Sequence, residues 1–399
     1  MRNNESGLNK LLNKPNVQNS GYFHTASEIL KQPKMWQETM DCVLGSAREL
    51  HEFLGNNPRL IFSGAGSSHF VGISIVPALR RVFAYAEAIS STEIVMDPET
   101  AFPREDFILV SFARSGNSPE GNAAVSLAEK LRPGMVKHLA ITCNADGDLA
   151  KIVKGLGPKG FVLDLPAETN DVGLAMTSSF TSMTLAGLLL QYVYTEEFEK
   201  CKRYVSSLIE VGNKVISGFD SFASEISREA YTRVFFISSR PFFGGAYEAH
   251  LKVQELSGGT LVAYASDTLG LRHGFMASIN EESLIVLTSS SNANRKQYEY
   301  DLLKEISAKK LGKKVIVIAD TEVDFEGFGD LIFEIGSSNN LPDEYKSIIT
   351  VLVGQLIGFY ASLKQGLNPD SPSPKGIINR VVEGIVIYPY LEELESFNE

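Results

Sequence analysis

The stretch that decides the fold is Phe107-Ile-Leu-Val-Ser-Phe-Ala-Arg-Ser-Gly-Asn-Ser-Pro-Glu120. It opens on a short continuous apolar run, the pattern of a strand covered on both faces of a parallel sheet. A turn of small residues follows. Pro119 then suits the first turn of a helix, where its missing N–H would be unbonded anyway. Strand, small-residue turn and helix make the repeating unit of an α/β protein.

The same unit precedes it. Residues 59–63 read as a strand, ending in Ser63-Gly-Ala-Gly-Ser-Ser68, with a helix over about 69–85. Further strands are predicted at 138–142 and 161–165. The second half repeats the order. A strand at 234–238 ends in Ser239-Arg240 and leads through Gly244-Gly245 to a helix; strands at 283–288, 315–319 and 331–335 follow. Ser63 pairs with Ser238, Ser111 with Thr288 and Ile141 with Ile318, at separations of 175, 177 and 177 residues. Near-constant separations predict an internal duplication. The expected division is a helical leader over 1–45, domains over 46–210 and 211–365, and a tail over 366–399 closing over the site. The leader carries no catalytic signal; one of its helices is expected to start at Ser27.

Composition bounds the function. Of 399 residues, 44% are apolar and 21% charged, ordinary for a globular chain, and each half is long enough to bury a core. A net charge of −11 disfavours nucleic acid and anionic membranes as partners but leaves room for a small anionic ligand in a local positive site. Cys42, Cys143 and Cys201 are too scattered for a metal site or a disulfide framework. With no apolar signal-peptide core near the N-terminus, the expected compartment is the cytoplasm. The apolar stretch 347–363 is broken by Gln355 and reads as a buried helix rather than a membrane span.

Ligands of parallel α/β sheets sit beyond the carboxyl ends of the strands. Ser67 and Ser68 fall there, as do Ser115, Asn117 and Ser118 around Gly116. Hydroxyls and backbone N–H groups at a helix N-terminus ring an oxyanion, and Arg114 adds charge. Neither turn has the glycine pattern of a nucleotide loop. The plain alternative is that serine and glycine only make tight turns. Two such turns on neighbouring strands favour phosphate. The second half keeps serines at 289–291 but loses the Ser-Gly-x-Ser pattern, so its role is expected to differ.

In the helix after Gly245, Glu248, Lys252 and Glu255 share one face. By itself such a stripe reads as a solvated surface with an i,i+4 ion pair. His273, between Arg272 and Gly274 in a loop, is suited to moving protons near neutrality. His69 is a weaker choice.

Taken together, Ser63-Gly-Ala-Gly-Ser-Ser68, the turn 111–120, Pro166-Ala-Glu-Thr169, Ala175-Met-Thr-Ser-Ser179, Leu271-Arg-His-Gly274 and Asn379-Arg-Val-Val382 resemble the tandem sugar isomerase (SIS) proteins. The resemblance covers roughly 45–390. It is greatest to the tagatose-6-phosphate ketose/aldose isomerase group, also described as galactosamine-6-phosphate deaminases. It implies two SIS domains, each a flavodoxin-like three-layer αβα sandwich. A more distant resemblance, of Lys252, Glu255 and Arg272-His273-Gly274 to the isomerase half of glucosamine-6-phosphate synthase, implies a catalytic Glu255 and a ring-opening His273, with Lys252 or Arg272 then expected to steady an oxyanion. Substrate binding is implied for Ser67, Ser68, Arg114, Ser115, Asn117 and Ser118, and further for Glu168, Ser178, Ser179 and Arg240. No metal or organic cofactor is implied. A homodimer or homotetramer is, with sites at subunit interfaces and His273 serving a neighbour.

The isomerase half of glucosamine-6-phosphate synthase is similar at greater distance. This chain departs from it: Met176-Thr177-Ser178 stands where that enzyme has Ser-Thr-Lys, and Ile377, with Lys375 nearby, where it has a catalytic lysine. Position 2 is Arg2 and not a cysteine nucleophile, so glutamine-dependent amination is not expected. Burial is expected to raise the pKa of Glu255. Two rivals stay open: a sugar-phosphate sensor without chemistry, and an isomerase without deaminase activity.

Overall fold

The computed structural model describes residues 6–336, 341–382 and 384–390. Arg2 and the rest of 1–5, and residues 383 and 391–399 of the expected tail, lie outside the described residues.

Ten strands form two parallel sheets of five. They are β1 (Arg59–Ser63), β2 (Tyr85–Ala88), β3 (Phe107–Ala113), β4 (Val136–Thr142), β5 (Gly160–Asp164), β6 (Arg233–Ser238), β7 (Val262–Asp267), β8 (Ser283–Thr288), β9 (Lys314–Ala319) and β10 (Leu331–Glu334). The first sheet runs β2-β1-β3-β4-β5 and the second β10-β9-β8-β6-β7, the same order in each half. This is the 2-1-3-4-5 winding of flavodoxin-like sheets. The apolar runs at β1, β3, β4, β6, β8 and β9 became central strands because both their faces are covered, β3 being buried along all but its last residue, while those at β5 and β10 became edge strands. Sequence reading missed β2 and β7. Both are edge strands, and neither Tyr-Ala-Glu-Ala nor Val-Ala-Tyr-Ala-Ser-Asp is a continuous apolar run.

Register confirms two of the three pairings. Ser63 lies opposite Ser111, as Ser238 lies opposite Thr288. The third is off by one: Ser111 pairs with Ala140 while Thr288 pairs with Ile318, so Ile318 matches Ala140 and not Ile141.

Before β1 stand the helices Gly7–Leu12, Phe23–Leu30, Gln32–Gly45 and Ala47–Leu54. Ser27 lies inside Phe23–Leu30 rather than at its start. Helix Asp343–Lys364 is long and apolar enough to cross a bilayer, but 94% of its apolar window is buried inside the protein. It packs against helix Phe243–Leu256, which also packs on helix Ser67–Leu79. Gly244 permits the second contact, since a Cβ there would lie 2.4 Å from Ser74 Oγ. That close crossing carries the charged stripe of the second half over the first turn of the first half.

Candidate active site

The carboxyl ends of β1 and β3 lie side by side, because Ser63 and Ser111 are ladder partners. Their two turns therefore open on one cleft. Gly116, at φ +74°, makes the bend that most side chains avoid. Ser118 caps helix Pro119–Leu131, accepting from Gly121 N and donating from Oγ to Glu120 Oε2 at 2.7 Å. A cavity is lined here by Ser68, Arg114, Ser115, Ser118 and Glu120. A second is lined by Ser67, Lys252 and Glu255. The two share Ala65, Arg114, Met176, Arg380 and Val382, so they are parts of one cleft.

The stripe on helix Phe243–Leu256 is not a solvated surface. Glu248 and Lys252 are fully buried, and the Glu255 side chain is 21% exposed, toward the cleft. Lys252 Nζ lies 3.1 Å from Glu248 Oε1 and 2.5 Å from Glu255 Oε2, and donates to Ser67 Oγ at 3.1 Å. One ammonium is thus shared by two carboxylates. Burial works against the Lys252 charge, but the two glutamates outweigh it and hold its pKa above the ordinary value. Burial pushes Glu248 up to about 7; Lys252 opposes the rise and Glu255 adds to it. Full burial falls on Glu248, one turn further inside, which sequence reading placed on the charged stripe but gave no role.

Arg114 is buried, and its guanidinium holds backbone. Nη1 donates to Gly173 O and Leu174 O at 3.1 and 2.9 Å, and Nη2 to Arg380 O at 2.5 Å. Arg380 lies in the segment 377–382 that covers the cleft, and its own guanidinium bonds Asp171 O and Asn170 Oδ1. Sequence reading quoted the segment around Arg380 but gave the residue no role.

Other expected site residues stand elsewhere. The Ser178 and Ser179 hydroxyls donate to the buried Asp171 carboxylate at 2.5 and 2.6 Å, so they fix a loop rather than line the cleft. Glu168 is exposed, and Lys31 Nζ bonds its backbone carbonyl. Asn117 is exposed and shapes the turn, its Oδ1 accepting from Asp148 N at 3.1 Å. Arg240 is exposed beyond β6, before a cis Pro241. Arg272 is paired with Glu305 at 2.6 Å and does not face the cleft. His273 is exposed in the loop after edge strand β7, and neither cavity includes it. Among the described residues no cluster of three metal-ligating side chains occurs.

Paired parallel sheets, a serine-lined cleft at the strand ends and a glutamate delivered from the second half define a tandem SIS protein acting on phosphorylated sugars. The chain is 38% identical over 376 residues to a Streptomyces coelicolor protein provisionally named D-galactosamine-6-phosphate deaminase AgaS, covering 92% of this chain and 95% of that one. It is 32% identical to the D-galactosamine-6-phosphate deaminase AgaS of Shewanella sp. (strain ANA-3), over 96% of each. A crystal structure from Clostridium novyi NT, provisionally named a tagatose-6-phosphate ketose/aldose isomerase, superposes with a TM-score of 0.88 at 36% identity, covering 94% of this chain and 97% of that one. No protein-family model matches the chain. The chain belongs to the AgaS family of tandem SIS enzymes, which joins proteins named as galactosamine-6-phosphate deaminases and tagatose-6-phosphate ketose/aldose isomerases.

Proposed function

We propose that the enzyme converts D-galactosamine 6-phosphate and water to tagatose 6-phosphate and ammonia. The observation that carries this reading is that Glu255 and the serine turns open on one continuous cleft within a single chain. The 6-phosphate is held by Ser68, Ser115 and Ser118 at the N-terminus of helix Pro119–Leu131. This directs the other end of the sugar toward Glu255. With the ring open, the Glu255 carboxylate takes the C2 proton and the aldehyde oxygen takes a proton, giving an enolamine. Return of a proton to C1 leaves an imine at C2. Water adds to that carbon, and ammonia departs as the ketone forms. Lys252 keeps Glu255 oriented and steadies negative charge on the C1 oxygen.

Ring opening is assigned to His273 of a neighbouring subunit, because the same chain's His273 is exposed away from the cleft. The assembly is then a homodimer or homotetramer in the cytoplasm, with SIS domains over 46–210 and 211–365. Arg272, paired with Glu305, serves to hold the His273 loop rather than an oxyanion.

The deciding experiment presents aldose, ketose and 2-amino-aldose 6-phosphates of galacto and gluco configuration. Ammonia and ketose are followed separately. Ammonia release confined to the galacto amino sugar is the expected result. Ketose formation without ammonia would leave an isomerase, and binding without turnover a sensor.

A further inference from the structure

Helix Phe23–Leu30, in a segment that carried no chemical signal, grips the loop behind the cleft through one side chain. Glu28 is 3% exposed. Its Oε1 accepts from Val172 N at 2.6 Å and Gly173 N at 3.1 Å. Space beside this contact is minimal: a Cβ at Gly173 would lie 3.0 Å from Glu28 Oε2. The loop so gripped is the one whose carbonyls, at 173 and 174, receive Arg114 Nη1. Its Asp171 carbonyl receives Arg380. Asp370 closes the arrangement, its carboxylate accepting from His24 N and Thr25 N, and its carbonyl from Leu174 N.

A guanidinium has five N–H donors. Among the described residues, the carbonyls of 173, 174 and 380 take three of those on Arg114. The remaining two are left for a ligand in the cleft, provided the carbonyls keep the group in place. A buried arginine with no fixed acceptors would swing toward whichever oxygen it found.

We infer that Glu28 is a positioning residue of the sugar-phosphate site: by holding the N–H groups of 172–173 it sets the carbonyls that aim Arg114 into the cleft. This rests on the functional reading above and goes beyond it in giving helix Phe23–Leu30 a part in substrate binding. Glu28 acts on the ground state and the transition state alike, so its loss raises KM and leaves kcat in place.

The experiment is a double-mutant cycle between Glu28→Ala and Arg114→Gln in the full-length enzyme, read as kcat and KM on D-galactosamine 6-phosphate. Glu28→Ala is expected to raise KM about tenfold with kcat within about twofold, and Glu28→Gln, which keeps an acceptor oxygen in place, to restore KM. In the Arg114→Gln background, Glu28→Ala should add nothing, because its effect passes through that side chain. Additive effects, or a fall in kcat with unchanged KM, would overturn the inference. Should Glu28→Ala fail to fold, Glu28→Asp, whose acceptor is withdrawn by one methylene, carries the same expectations. If Arg114→Gln itself leaves KM unchanged, the inference fails, since Glu28 acts through that side chain, while the functional reading, which places the phosphate on Ser68, Ser115 and Ser118, is untouched.

Discussion

The two sheets share strand order and the register of their first and third strands, yet their carboxyl ends have opposite fates. In the first half the turn after β3 is open, and Ser115 and Ser118 face a cleft. In the second half the corresponding turn is filled by the protein's own carboxylates. Glu299 accepts from Ser289 Oγ at 2.8 Å, from Ser290 N at 3.0 Å and from Ser239 Oγ at 2.9 Å. Asp343 accepts from Ser291 N at 2.7 Å and from Ser290 Oγ. Asn292 Oδ1 accepts from the N–H groups of Asn294 and Arg295. Lys346, fully buried, lies 2.9 Å from Asp320 and 3.5 Å from Asp343. In the second half a helix start with hydroxyl neighbours is occupied by carboxylates, as the N-terminal N–H groups of a helix favour. Only the first half leaves the place free for a foreign anion. Duplication preserved the cradle, and two acidic side chains turned one copy into structure.

The comparison breaks most visibly at the base. Glu255→Gln should lower kcat about a thousandfold and leave KM within about threefold, measured by ammonia release; near-normal turnover would remove chemistry from the first cleft. Next is the anion turn. Ser115→Ala should raise KM about tenfold and weaken inhibition by inorganic phosphate to match; an unchanged KM would make the open turn as structural as the closed one.

Asp343→Asn is the counterpart in the second half. It should reduce unfolding free energy by about 2 kcal/mol at neutral pH while kcat/KM stays within about twofold. Despite burial, Lys346 and the donors at 290–291 hold the Asp343 carboxyl below its ordinary value. Its contribution is therefore present above the ordinary carboxylate range and fades as pH falls, so the variant and the parent should converge in acid. Loss of activity without loss of stability would show that the second cradle still serves the substrate.

The remaining effect has the opposite sign. Glu248, raised from 4.5 to about 7, binds more protons folded than unfolded between those values. It therefore costs stability increasingly as pH rises through that window, and no more above it. Denaturant titrations of Glu248→Gln should show a gain over the parent that grows from about pH 4.5 to about pH 7 and then levels off. A gain independent of pH would place the ionisation elsewhere.

Much of this was legible in the chain. Continuous apolar runs located the central strands, and the serine turns fell at their carboxyl ends. Edge strands β2 and β7 were missed because neither is an unbroken apolar run, whereas β5 and β10, at the opposite edges, were legible. Ser178 and Ser179 carried the right chemistry for a sugar contact, but nothing local showed that Asp171 would claim both hydroxyls. Glu248, Lys252 and Glu255 were seen to share a face, while the burial of that face depended on which helix packed on it. Arg380 and Glu28 gave no local sign, since each acts through backbone groups far away in sequence.

The sequence by itself determined the alternation of buried strands and small-residue turns, hence two parallel sheets with serine turns at the carboxyl ends of their strands. Such features follow from steric preference and hydrophobic period within a few residues. Only the tertiary structure decided that Lys252 meets Ser67 across 185 residues, that Arg114 is braced from helix Phe23–Leu30, and that one cradle is open and the other filled. Those outcomes rest on how closely helices approach and which donors the packing brings within 3 Å, and no short stretch of chain encodes that.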